Sequence, residues 1–365
     1  MKRKVVLIAA LLLGAVVMFP TQANAADANL KVTPVQVPSQ RDKEESFFDL
    51  VLQPGQSETL TVQLQNPTKK DMVVDATVAP ASTSDSGSVQ YTNQVKLDPS
   101  LAVNVKDLVE APKKVTVPAG QTITYSAELT MPTTSLTGMT AGALIFAPED
   151  STKSSAGQGM GIINKFQYAV AVLARNENTT WDPALTIDGA TAKNQEGATN
   201  IAVHLRNTAA TYLNQLAVET TVSRNGKTYS RSRDDMQMAP NSDFNFSVPL
   251  KDNVTAGQYS VATTAYYVKD PAGQYQDAKG QHYKFKATYD GKVNVTAKKA
   301  QSLNRALKQA KGGMPTMIKV GITAIVVLAA LVLVMVIMMM KRRKKESNRL
   351  ADLEAELQSL KAQQK

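Results

Sequence analysis

Hydrophobic and polar residues alternate in short segments throughout residues 30–295. A β-strand places every second side chain on the same face, so this period of two predicts strands with one buried face. No helical period of apolar residues occurs in this range. The clearest alternating apolar positions are Leu60, Val62, Leu64, Ile123, Tyr125, Ala127, Leu129, Ile201, Val203, Leu205, Tyr259, Val261, Ala265 and Tyr267.

Turn residues separate the predicted strands. Asn225-Gly226 predicts a tight hairpin, because a type I′ turn needs two residues that accept positive φ. Further turns are predicted at Pro54-Gly55, Asp98-Pro99, Pro118-Ala119-Gly120 and Ala256-Gly257. Many short strands with turns between them are typical of β-sandwiches, so the expected fold class is all-β.

The domain boundary is predicted near Arg175. Residues 149–161 lack periodicity and are rich in Gly and Ser, which predicts a long loop inside the first domain. A polar stretch beginning at residue 176 indicates the start of a second domain. Two tandem β-sandwich domains are therefore expected, at residues 26–175 and 176–296, and their lengths suit ordinary domains of roughly 150 residues.

The pattern changes to a helical one after residue 296. Apolar residues recur at helical spacing among lysines and arginines, which predicts a basic juxtamembrane helix and hinge at residues 297–319, with a break at Gly312-Gly313. Two interpretations remain open, a stalk and a contact with anionic lipid head groups. The apolar positions are Ala300, Leu303, Ala306, Leu307 and Ala310.

Residues 320–340 are almost entirely apolar and predict one transmembrane helix. At about 1.5 Å per residue they are long enough to cross a bilayer core of roughly 30 Å. A positive cluster follows, and such clusters lie on the cytoplasmic side. This cluster consists of Lys341, Arg342, Arg343, Lys344 and Lys345. The remaining tail, up to residue 365, carries leucines at heptad spacing and predicts a short helix.

The first 25 residues have the features of a secretory signal peptide. A basic start precedes a short apolar run, and Ala23-Asn24-Ala25 predicts cleavage after Ala25. We therefore expect a single-pass cell-membrane protein with residues 26–319 exported and the C-terminus in the cytoplasm.

Composition narrows the possible classes of protein. The chain has no cysteine, which is unusual for a secreted module stabilised by disulfides and fits the surface of a Gram-positive bacterium. The formal net charge is +10, but the signal and anchor segments hold most of the excess. Residues 26–319 contain 30 basic and 27 acidic residues, a net charge of +3. This balance argues against a nucleic-acid partner.

The sequence offers no catalytic constellation. His204 and His282 are the only histidines, and neither lies near a nucleophile motif. Adjacent carboxylate pairs such as Asp234-Asp235 would point to opposite faces of a strand, so they would not converge on a substrate. We predict no enzyme activity, no cofactor and no metal site.

Aromatic residues of the second half suggest binding instead. Aromatic rings stack on sugars and are enriched at protein interfaces, although many of them simply fill cores. Trp181, near the predicted domain boundary, and Tyr275, in a loop rich in Gly and Gln, are the candidates.

Several short motifs, in order, resemble those of the WxL-interacting proteins of Gram-positive bacteria. Phe47-Phe48-Asp49-Leu50 followed by Pro54-Gly55-Gln56 resembles the family's opening. The resemblance continues through residues 81–91, 100–101 and 136–146. In the second half it is carried by Met238-Ala239-Pro240-Asn241-Ser242, Ala256-Gly257-Gln258-Tyr259 and Leu303-Asn304.

The resemblance implies a fold and partners. It implies two immunoglobulin-like β-sandwiches, the first binding peptidoglycan and the second host extracellular matrix or surface components, with WxL-domain surface proteins as partners. Gly138 and Gly142 are binding candidates in the motif at residues 136–146. The family often has a glycine pair here, whereas Ala141 and Ala143 flank Gly142, and their methyl groups narrow any close approach to the backbone.

The sequence thus favours a non-enzymatic, membrane-anchored surface protein that binds peptidoglycan and WxL-domain proteins and contributes to host attachment. The alternative is a transmembrane assembly or signalling component that acts through its coiled-coil-like cytoplasmic tail. Leu350, Leu353, Leu357 and Leu360 motivate this alternative.

Overall fold

The computed structural model describes residues 30–149, 166–195, 198–250, 253–311, 323, 328, 331 and 333–342. The predicted cleavage residue Ala25, most of the predicted loop at 149–161, the positive residues Arg343, Lys344 and Lys345, and the leucine heptads lie outside these residues. The chain divides into two compact units, Met1–Leu303 and Asn304–Lys365, and each is described by itself.

The first half of the larger unit is a β-sandwich. One sheet has the strand order β1-β3-β8-β6, and the other has the order β2-β10-β9-β4-β5, with β7 also paired to β4. The strands are β1 (Lys31–Val35), β2 (Phe48–Val51), β3 (Ser57–Gln65), β4 (Met72–Thr83), β5 (Val89–Tyr91), β6 (Val109–Glu110), β7 (Lys114–Val117), β8 (Thr122–Thr130), β9 (Met139–Pro148) and β10 (Tyr168–Arg175).

The predicted alternation sets which side chains fill this core. Leu60, Val62 and Leu64 of β3 are fully buried and share one cluster with residues of the opposite sheet. Tyr125 and Phe146 meet edge to face with ring centroids 5.0 Å apart. Burial of each large apolar side chain contributes about 1.5–3 kcal/mol, so the period of two is also the main source of stability.

The second half is another β-sandwich. Its sheets have the orders β11-β12-β15 and β14-β13-β16-β18-β17. The strands are β11 (Leu185–Gln195), β12 (Ala198–Asn207), β13 (Leu213–Arg224), β14 (Lys227–Met238), β15 (Ser242–Leu250), β16 (Gly257–Lys269), β17 (Tyr275–Gln276) and β18 (His282–Val295). Ile201, Phe246 and Val261 are among the side chains buried between the two sheets.

The predicted hairpin at Asn225-Gly226 is confirmed. Asn225 has φ 48° and Gly226 has φ 73°, the two positive values that a type I′ turn requires. Arg224 and Lys227 form the last pair of the β13–β14 ladder on either side of the turn.

Among the described residues of the larger unit, one short helix and the first turns of a longer one accompany the strands. The one-turn helix α1 (Val105–Leu108) was not predicted, because four residues are too few to show a helical period; Asn104 caps it by accepting a hydrogen bond from the Lys106 amide. The helix predicted from residue 297 is confirmed as α2 (Ala297–Lys311). Ala300 and Leu303 of α2 are buried in the second core.

The smaller unit is described only in part. Residues 333–342 are helical and exposed, including Lys341 and Arg342 of the predicted positive cluster. Over the stretches of chain that the structure covers, none of the helices is both long enough and apolar enough to cross a membrane.

Candidate binding groove at the junction of the two sandwiches

Main-chain hydrogen bonds join the two sandwiches directly. The Met139 amide donates to the Ala210 carbonyl at 2.8 Å, and the Gln237 amide donates to the Gly87 carbonyl at 2.9 Å. Gly138 has φ +94°, and a Cβ there would lie 2.5 Å from the Ala210 carbonyl oxygen. The close approach of the second sandwich therefore requires glycine at this position.

Asp85, in the turn between β4 and β5, reaches across the junction. Its carboxylate accepts hydrogen bonds from the Asn245 amide and the Gln195 side chain, both at 2.9 Å, and Lys193 lies 3.4 Å away. Partial burial acts to raise the pKa of Asp85, but these donors and the lysine charge outweigh it and lower the pKa.

A second ion pair crosses the junction at Asp98. Arg206 donates to both carboxylate oxygens, at 2.6 and 2.8 Å, and the Asp98 side chain is only 1% exposed. The hydrogen bond from Arg206 lowers the pKa of Asp98, and the same bond raises the pKa of Arg206. Bidentate arginine–carboxylate geometry is specific as well as strong, so this contact also fixes orientation.

An apolar cluster fills the space between these polar contacts. Leu173 and Met139 of the first sandwich pack with Ala239 of the second, and Tyr212 lies against them. Burial raises the pKa of Tyr212. Beneath the cluster, Arg175 and Asp49 form a buried ion pair. The junction thus combines a small apolar cluster with charge-assisted hydrogen bonds that reach from one sandwich to the other.

A groove opens beside this junction. Its volume is about 590 Å³, within the range typical of small-molecule sites, which is roughly 300–1,000 Å³. The first sandwich contributes residues from 100–103 and 132–140, and the second contributes Trp181-Asp182, 208–210 and Asn241. The groove therefore exists only when both sandwiches are in place.

Hydrogen bonds hold the groove walls in position. Asn241 has φ 47° and donates to the Thr208 carbonyl at 3.0 Å and to Ser100 Oγ at 3.3 Å, which ties three loops together. Asp182 is exposed and pairs with Lys284 Nζ at 2.8 Å. The half-buried Trp181 also lines the groove.

The structure brings together two of the four residues that the sequence singled out. Gly138 and Trp181 both line the groove. Gly142 is elsewhere, inside β9, where a Cβ would lie 2.0 Å from Val105 Cγ1 and 2.5 Å from the Ala79 carbonyl oxygen. The space over Gly142 is therefore filled by the protein itself. Tyr275 lies in β17, packed against the cluster of Tyr266 and Tyr283.

The groove also contains residues that sequence reasoning missed. Ser100 and Asn241 were noticed only as parts of family motifs, and Leu136 only as the start of another. What these three residues have in common is that they lie in segments without hydrophobic periodicity, which are rich in hydroxyl and amide side chains. Such loops carry most binding residues, but nothing local says which loops meet.

Both histidines have ordinary structural partners. His204 Nε2 lies 2.8 Å from Asp243 Oδ2, and His282 Nδ1 lies 2.8 Å from the Gly273 carbonyl oxygen. In the portion of the chain that the structure covers, no three His, Cys, Asp or Glu side chains are grouped so as to hold a metal ion.

Several solved structures are similar to this chain. A class 5 fimbriae chaperone, CfaA, is 14% identical, with 72% of this chain and 98% of that chain covered and a TM-score of 0.29. A chain from a complex of a Salmonella enterica SafA pilin with the SafB chaperone is 9% identical, with 72% and 96% covered and a TM-score of 0.28. The TM-scores are low, so we base no inference on these similarities. No curated protein matches the chain.

Two family models match consecutive parts of the chain. The peptidoglycan binding domain of the WxL Interacting Protein matches residues 30–147, and the host binding domain of the same protein matches residues 157–305. Strand β10 falls within the second match, although it pairs with β2 and β9 of the first sandwich. Together the matches run from the first described strand into α2. The chain belongs to the WxL-interacting protein family.

Proposed function

We propose that this protein is a membrane-anchored binding protein of the Gram-positive cell surface that associates with peptidoglycan and with WxL-domain proteins, and that contributes to host attachment. The observation that carries the proposal is the match of both binding-domain models, in order, to two sandwiches that share an extensive junction. The matched families are binding domains, and we assign the protein no catalytic role.

The proposed assignment of domains follows the sandwiches. Residues 26–175 would be the peptidoglycan-binding module and residues 176–296 the host-binding module. The groove at their junction is the proposed ligand site, with Trp181 as a contact residue and Gly138 as the residue that lets the two modules meet. The apolar stretch at residues 320–340, followed by the basic residues 341–345, supports the single-pass anchor and the cytoplasmic C-terminus.

Pull-down experiments test this function. The full-length chain in detergent micelles is incubated with purified Gram-positive cell walls and, separately, with an immobilised WxL-domain protein. We expect both to retain the protein above the level of an unrelated single-pass protein of similar charge. Retention by neither would refute the proposal. A protease-protection assay on intact cells checks the anchor, since residues 26–319 should be digested and the tail protected.

A further inference from the structure

The chemistry of the groove walls limits what can bind there. Ser100, Thr134, Thr137 and Thr208 contribute hydroxyl groups to the lining, Asn241 contributes an amide, and Trp181 contributes an indole. Among the described residues that line the groove, Asp182 is the only one with a charged side chain. The walls therefore combine neutral hydrogen-bonding groups and one aromatic ring with apolar side chains such as Leu136 and Met139.

These walls disfavour ligands that carry negative charge. The described lining contains no lysine or arginine that could pair with an anion, and its one charged side chain is the carboxylate of Asp182. The nearby cations are already paired, Lys284 with Asp182 itself and Arg206 with Asp98 and Asp188. A wholly apolar ligand is also disfavoured, since it would cover the exposed hydroxyls of Thr134 and Thr137 without offering them hydrogen-bond partners.

A neutral sugar satisfies both constraints. The C–H face of a pyranose ring stacks on an indole, and its hydroxyl groups exchange hydrogen bonds with serine, threonine and asparagine side chains. Resting on the proposed function, we propose that the junction groove binds the neutral glycan strand of peptidoglycan, through residues of both sandwiches, and not the acidic stem peptide. Bound glycan then also stabilises the junction, because its site requires both sandwiches.

The single tryptophan gives a direct test, because Trp181 is the only tryptophan of the chain. The full-length protein in detergent micelles is titrated with tri-N-acetylchitotriose, and Trp181 emission is recorded. We expect a saturable change in emission. Parallel titrations with the free stem pentapeptide and with glycerol 3-phosphate should leave the emission unchanged. A saturable response to the pentapeptide instead of the saccharide would overturn the inference.

Variants locate the binding. Trp181→Ala should weaken chitotriose binding at least about tenfold by calorimetry, as truncating a central aromatic contact does, while Trp181→Phe should retain part of it. Tyr275→Ala is the matched control, an aromatic of the same sandwich outside the groove, and should bind like the wild type. Equal affinity of the wild type and Trp181→Ala would overturn the assignment to this groove.

The outcome is distinguishable from failure of the proposed function. Retention of the wild type on cell walls, with no emission change in the chitotriose titration, would overturn the groove inference and leave the proposed function intact. Loss of cell-wall retention by the wild type would refute the function itself. The wild-type titration needs no substitution, so a folding defect in a variant cannot obscure the result.

Discussion

At the scale of single residues, Gly138 and Gly142 are close in sequence but allow different contacts. Gly138 lets the carbonyl of Ala210 approach from the second sandwich, whereas Gly142 makes room for Val105 within the first. Both positions lack space for a methyl group. In this family-like motif, Gly142 is therefore needed for packing inside the first sandwich, and Gly138 is needed for the contact between the two sandwiches.

Gly138→Ala should be more destabilising than Gly120→Ala. Both glycines have positive φ, so both substitutions cost about 1 kcal/mol of backbone strain, but a Cβ at Gly120 meets nothing within 4 Å. At Gly138 the methyl group must also displace the Ala210 carbonyl, which should cost about 1–3 kcal/mol more. Urea unfolding measures the difference, and equal losses would contradict the close approach.

Asp98→Asn should weaken the junction and change its response to acid. Removing one charge leaves Arg206 without its main partner, and we expect a loss of about 2–3 kcal/mol in the free energy of unfolding. Because the folded pKa of Asp98 is lowered, its contribution is full above the unfolded pKa of about 3.9 and declines as the pH falls through the folded value.

Chemical unfolding between pH 7 and pH 2 checks this expectation. The wild type should lose stability more steeply than Asp98→Asn once the pH is below about 4. Asp234→Asn, which breaks the exposed pair with Lys279, serves as the control and should leave the stability at pH 7 nearly unchanged, because solvent screens exposed ion pairs. Parallel wild-type and Asp98→Asn curves would contradict the role assigned to Asp98.

At the scale of elements, α2 begins as part of the second sandwich. Thr296 Oγ1 accepts a hydrogen bond from the Lys299 amide, and the Asn194 side chain donates to the Leu303 carbonyl at 2.9 Å. Ala300 and Leu303 complete the core cluster. The first turns of α2 are therefore a packed part of the sandwich. The two interpretations of this helix, as a stalk or as a membrane-surface contact, can then apply only to its later turns.

Leu303→Ala should destabilise the second sandwich by about 2–5 kcal/mol, because it empties a buried site in a packed core. Lys299→Ala removes an exposed side chain of the same helix and should change the stability by less than about 0.5 kcal/mol. Thermal unfolding followed by circular dichroism compares the two. A similar melting temperature for both would mean that this helix does not pack as described.

The strands could be predicted from the sequence because they depend on local geometry, whereas the groove could not, because it depends on contacts between distant segments. Alternation in β3 and β16, and the residues of the β13–β14 turn, are local consequences of backbone geometry. Asp85 and Asn245 meet across 160 positions of sequence, and nothing in the neighbourhood of either residue marks the pairing. Trp181 was identified by its residue type, but the loops around it were not.

At the scale of the whole larger unit, the two sandwiches should separate only when the ionic contacts of Asp85 and Asp98 across the junction break. The connecting segment at residues 176–184 lies at the junction and provides part of the groove. Side-chain hydrogen bonds from Asn176 and main-chain contacts near Ala184 hold its ends. This segment should therefore resist proteases for as long as the junction remains intact.

Combining Asp85→Asn with Asp98→Asn should expose this segment. Both carboxylates reach from the first sandwich to the second, so removing both charges should increase the rate of cleavage near residues 176–184 several-fold at neutral pH. Limited proteolysis followed by mass spectrometry identifies the cut. Asp234→Asn again serves as the control, and an unchanged rate in the double variant would show that the apolar cluster alone holds the junction.

The course of β18 bears on how this protein resists mechanical load. Lys284, near the start of the strand, pairs with Asp182 of the groove, and the strand runs to Val295, roughly 37 Å away at about 3.4 Å per residue. A force applied between Asp182 in the groove and the Val295 end of β18 therefore acts along this strand. The β16–β18 ladder then bears the load in shear, with its hydrogen bonds resisting together.

Single-molecule force spectroscopy can compare two pulling directions, because the absence of native cysteine allows handles at engineered pairs. Handles at Ala184→Cys and Ser302→Cys load the ladder lengthwise. Handles at Ala256→Cys and Ser302→Cys start at one end, where Gly257 pairs with Val295, and unzip it bond by bond. The lengthwise pair should rupture at the higher force; equal forces would refute this load path.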